Sequence, residues 1–102
     1  MRIHIIRQKA VENHISDHPD SVIYFKTWLD LIQAADWDTP DDILTTFGSA
    51  SFLGNGSALI AFQITGSVWQ LIAKYDFTKT RIHLTVGWIG TTSEFTKLFL
   101  NR

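Results

Sequence analysis

Residues 58 to 89 decide what this chain can fold into, because three runs of alternating apolar and polar residues follow one another with only two short breaks. Ala58 to Thr65 and Val68 to Phe77 flank Gly66-Ser67, a two-residue connection of the glycine-first kind that closes tight hairpins. Arg81 to Ile89 is the third run, joined through Thr78-Lys79. Successive side chains of a strand point to opposite faces, so strands connected this way form an antiparallel meander with one apolar face that needs a cover. Trp69, Leu71, Ala73, Tyr75 and Phe77 share that face with Ile82, Leu84, Val86 and Trp88. Gln70, Ile72, Lys74, Asp76, Arg81, His83, Thr85 and Gly87 share the open one.

The cover lies upstream. Between Asp20 and Ala35, Val22, Phe25, Leu29 and Ile32 recur at helical spacing with Tyr24, Trp28 and Leu31 beside them, which predicts a helix with a broad apolar stripe. Ahead of it, MRIHII predicts a short strand and Gln8 to Ser16 a helix ended by Pro19. Thr39-Pro40-Asp41-Asp42 offers an N-cap, a proline at the first helical position and acids at the positive helix end, predicting a short helix over residues 40–46. Thr91 followed three positions later by Glu94 predicts a capping box after the last strand. The expected fold class is α+β, with helices on one face of a small antiparallel sheet: a three-stranded meander plus a possible N-terminal strand. A chain of 102 residues with 45% hydrophobic content has enough apolar mass for one core and no room for a second, so residues 1–102 are expected to form a single domain.

Composition narrows the chemistry. Without cysteine there is no thiol nucleophile, disulfide or thiolate metal site, which fits an intracellular protein. No run approaches the ~18 apolar residues of a membrane span, so a cytoplasmic chain with no membrane partner is expected. The net charge of −1 argues against a strongly basic nucleic-acid binder, but residues 1–65 hold four basic and eight acidic side chains while residues 66–102 hold five and two. The later segment has the sign that attracts phosphates. His14 and His18 are spaced i, i+4, but Pro19 ends that helix and no carboxylate pattern completes a site, so neither a metal nor a cofactor is expected. If Thr65 faces Val68 and Asp76 faces Arg81, the open face carries the rows Gln63-Gln70-Gly87 and Leu59-Lys74-His83, making Lys74 and His83 direct partners. A cation beside an imidazole favours its neutral form, so His83 would accept a proton while Lys74 stabilises a phosphate.

Several strings together carry a family resemblance: MRI at the start, His18-Pro19, AADW at 34–37, Pro40, Asp42-Ile43, SASFLGN at 49–55, FQITG at 62–66 and IGT at 89–91. On these the chain resembles the HigB-type toxins of bacterial toxin–antitoxin systems, a branch of the RelE-like mRNA interferases. The resemblance implies a helical layer on an antiparallel sheet, a helix-turn-helix (HigA-like) antitoxin as partner, and cleavage of mRNA on the ribosome by basic and imidazole groups without a metal. It also implies arginines where Gln70 and Gly87 stand, and the terminal motif GTH-x-EY where this chain has Thr92 and Phe95 in place of histidine and tyrosine. His83, Lys74 and Arg81 are therefore the candidate catalytic residues, and Lys74, Lys79, Arg81, Lys97 and Gln70 the candidate RNA contacts. The expected function is a ribosome-associated mRNA endoribonuclease of weakened or altered activity. The alternative is an inactive toxin fold that binds protein or ribosome.

Overall fold

The computed structural model describes residues 2–54 and 56–100. In chain order they form β1 (Arg2–Ile6), α1 (Lys9–Asp17), a 3-10 turn (Pro19–Ser21), α2 (Val22–Ala34), α3 (Asp42–Thr46), β2 (Ser51–Phe52), β3 (Leu59–Gln63), β4 (Trp69–Phe77), β5 (Arg81–Thr91) and α4 (Thr92–Phe95), which continues as a π-helical turn over Thr96–Leu100. The class is α+β, and the meander β3-β4-β5 is present. The sheet is wider than expected and mixed. Its order is β1-β5-β4-β3-β2, with β1 parallel to β5 and β2 a two-residue antiparallel edge.

The helix α2 covers the predicted face with Phe25, Trp28 and Ile32, at i, i+3 and i+7. Its stripe is narrower than the sequence suggests, since Val22, Tyr24 and Leu31 are exposed. Aromatic rings make the centre of the core: Phe62 meets Trp28 at 5.3 Å and Phe47 at 5.1 Å, both edge to face, the geometry that ring quadrupoles favour. The loop into α3 is tied by Asp42, whose carboxylate accepts from the Asp38 and Thr39 N–H groups, so Thr39 is not the side-chain cap expected of it.

Two departures from the expected pairing, one of register and one of alternation, reset the open face. In the β4–β5 turn, Thr78 Oγ1 donates to the Arg81 carbonyl at 2.8 Å and accepts from the Arg81 N–H at 3.1 Å, so Phe77 faces Ile82 and Asp76 faces His83 rather than Arg81. Further along, Val86 faces Ala73 but Trp88 faces Ile72, leaving Gly87 as an unpaired extra residue, a β-bulge. One inserted residue turns every following side chain over. Trp88 is therefore on the open face, not in the helix-side core, and Gln70 faces Gly90 instead of Gly87. A β-carbon at Gly90 would overlap the Trp88 indole, so glycine there makes room for the turned ring.

The inserted residue also creates a second, smaller apolar cluster. Phe95 and Phe99, from the C-terminal helical segment, pack on Trp88, Ile72, Ala61, Leu59 and Leu53. The helices are thus not all on one side of the sheet. The chain's own C-terminal segment covers part of the open face, and among the described residues the part towards β1 is left uncovered.

Candidate functional site on the uncovered half of the sheet

The uncovered part is built by three adjacent rows. Arg2 faces Arg81; His4 faces His83, which faces Asp76; Ile6 faces Thr85, which faces Lys74. Lys74 and His83 are consequently diagonal neighbours, not the direct partners expected from the sequence, with Cβ atoms about 7–8 Å apart in such geometry. Both still line one depression of about 380 Å³, together with Ile6, Tyr75, Asp76 and Thr85. Arg81 lies one row further out, and Lys79 is exposed in the hairpin turn beside it.

His4 and Arg2 belong to this patch and were not singled out by sequence reasoning. The rings of His4 and His83 stand 6.1 Å apart, edge to face. Partial desolvation, and then the charges of Arg81, Arg2 and His83, hold the His4 pKa below its ordinary value. The parallel pairing that brings β1 beside β5 is a long-range contact, and no local signal in MRIHII announces it.

The other end of the open face is organised differently. Gln70 donates to Gln63 Oε1, and Gln63 Nε2 donates to the Ser67 carbonyl at 3.0 Å, so this pair is spent on the β3–β4 turn. Thr92 donates through its N–H at 2.7 Å and its hydroxyl at 3.2 Å to the Val68 carbonyl. Thr91 and Glu94 form the predicted capping box: the Glu94 N–H donates to Thr91 Oγ1 at 3.1 Å, and the Thr91 N–H donates to Glu94 Oε1 at 2.8 Å. Lys97 is exposed on the helical turn that follows. Of the candidate contacts, the structure therefore gathers Lys74, Lys79, Arg81 and His83, and leaves Gln70 and Lys97 apart from them.

The cap has a measurable consequence. The backbone and hydroxyl hydrogen bonds of Thr91 lower the Glu94 pKa, with a smaller contribution from Lys97. A carboxyl whose pKa is depressed on folding stabilises above its unfolded value, and that stabilisation is lost as pH falls through the folded value. Glu94→Gln is expected to melt below the parent near neutral pH and to match it in strongly acidic buffer. A difference in Tm that persists unchanged in acid would count against the charged cap.

Elsewhere, His14 and His18 pack on Trp69 at 4.3 and 4.7 Å between ring centroids, and burial, then His18, lowers the His14 pKa against the opposing pull of Asp17. Among the described residues no group of three or more His, Asp or Glu side chains is placed to hold a metal ion. No helix among them is long and apolar enough to cross a membrane.

No curated protein sequence matches the chain. The profile of the HigB toxin family, described as the RelE-like toxic component of a toxin-antitoxin system, matches residues 23–98, a span that runs from α2 through the meander and capping box into the C-terminal turn. On that match, the chain belongs to the HigB toxin family.

Proposed function

We propose that this toxin-family chain acts as a metal-independent endoribonuclease on mRNA at the ribosome, and that a helix-turn-helix antitoxin restrains it in the cytoplasm. The observation carrying the nuclease reading is the gathering of Lys74, Arg81 and His83 on one uncovered patch. Cleavage at a phosphodiester needs an acceptor for the 2′-hydroxyl proton, a donor for the leaving oxygen and positive charge on the phosphorane. Imidazole, ammonium and guanidinium groups supply those roles.

A second reading is favoured by the opposite end of the face. Gln70, Thr92 and Glu94 are all engaged in hydrogen bonds that hold the turn and the C-terminal helix, which suits a toxin fold kept for binding its antitoxin or the ribosome without cleavage. Induced expression followed by mapping of transcript ends separates the two. Growth arrest with new 5′ ends inside translated frames supports the nuclease; intact transcripts in cells that make the folded protein support the binding module.

A further inference from the structure

The rows at the β1 edge bring basic groups from two strands together. Arg2 and Arg81 are direct partners across the parallel pair, and the next row sets His4 against His83. Like charges directly opposite each other destabilise a ladder, as the two guanidinium groups are here, and Asp76, across from His83, is the carboxylate among the described residues of these rows. An arrangement that breaks a local rule at one place points to a function served there. An anion lying over the rows would relieve the repulsion. β1 is an edge strand and His4 and His83 are half-exposed, so an extended chain can reach both rings.

Resting on the nuclease reading, we propose that His4 and His83 are the acid–base pair of the cleavage, with Arg2 and Arg81 holding the scissile phosphate of single-stranded RNA. The ring centroids stand 6.1 Å apart, a gap of the size one phosphodiester group spans, and proton transfer at each ring would need a contact of about 2.6–3.2 Å. The groups facing His4 are Arg2 on its own strand and Arg81 and His83 on β5, with Asp76 one strand beyond. Partial desolvation and its cationic neighbours keep the His4 ring neutral near pH 7, which makes it the acceptor. His83 is then the donor.

The 2′-hydroxyl gives its proton to His4 as the 2′ oxygen bonds to phosphorus. The bond from phosphorus to the 5′ oxygen breaks, and that oxygen takes its proton from the His83 ring. The products are a 2′,3′-cyclic phosphate and a 5′-hydroxyl end. Each ring has exchanged one proton, and exchange with water restores the starting states. The depression lined by Ile6, Lys74, Thr85 and Asp76 gives the adjoining nucleotide a seat with an apolar floor, a cation for its phosphate and polar groups for its base edge.

The test is cleavage of a translated mRNA by the parent, His4→Gln, His4→Ala, His83→Ala and the double variant in a purified ribosome system, with folding of each checked by circular dichroism. Losing His4 is expected to slow cleavage about 10²-fold or more. It should also remove the acidic limb of the pH–rate profile, and added imidazole should restore part of the His4→Ala rate. Groups acting as a unit lose little more when both are removed, so the double variant should be near the slower single one. Parental rates in folded His4→Gln overturn the pair and leave the nuclease reading standing, as does cleavage that yields no cyclic phosphate. Variants that keep their rate but self-associate would assign the charges to protecting the sheet edge instead. A parent that cleaves nothing overturns both this pair and the nuclease reading.

Discussion

Replacing His83 by alanine is expected to lower RNA cleavage about 10²-fold to 10⁴-fold, the range contributed by one general acid or base, and to abolish most toxicity on induced expression. The ring is half-exposed on the open face and takes no part in the buried core, so the loss should come without loss of fold. Its neighbours should behave differently. Lys74 is exposed and diagonal to His83, so Lys74→Ala is expected to weaken RNA binding and toxicity together, while Arg81→Ala should slow cleavage and also flatten the salt dependence of binding. On single strands each lost phosphate contact reduces the slope of log K against log salt by about 0.7. Equal toxicity of the parent and of the His83→Ala and Lys74→Ala variants would remove both residues from the mechanism.

The largest loss of stability is expected from Phe62→Ala, at about 3–5 kcal/mol, the usual cost of emptying a buried phenyl site. Phe62 is fully buried on β3 and meets Trp28 of α2 and the Phe47 ring that follows α3, so it joins the sheet to the helical layer. Rings of that size cannot collapse into the space without moving α2. Against a typical total of about 5–15 kcal/mol, such a loss takes a large share of the stability. Denaturant unfolding should show a lower midpoint with an unchanged slope. A shift worth less than about 1 kcal/mol would mean that this contact does not hold the layers together.

The family-like strings and the structure part company over the same short segment. The arginine positions implied at Gln70 and Gly87 would have been side by side under strict alternation, yet Gln70 faces Gly90 and is hydrogen-bonded to Gln63, while Gly87 is the bulge. The tight turn at Thr78 shifts the register by two residues and the bulge by one more. A signal for the second shift was present, since a glycine inside a strand pattern often marks a bulge. The turn carried less warning, because Thr78-Lys79, the connection expected from the sequence, and Lys79-Thr80, the one observed, both close a two-residue hairpin and differ only by a two-residue shift of register.

Periodicity alone determined the long amphipathic helix, the three-strand meander, the α+β class and the capping box at Thr91-Glu94, because each rests on residues within one turn or one hairpin of each other. The β3–β4 register followed for the same reason: Gln63 faces Gln70 and Leu59 faces Lys74, as counting from the Gly66 turn requires. Only the tertiary structure decided which side Trp88 takes, that the C-terminal helix covers part of the open face, and that His4 stands beside His83. Those outcomes depend on a one-residue insertion, whose effect on side-chain direction accumulates along the strand, and on pairing between β1 and β5, which are separated by every helix but the last. Local propensity does not encode a partner so distant in the chain; burial of Ile3 and Ile5 against the core selects it, and the two histidines are carried to the opposite face by the same alternation.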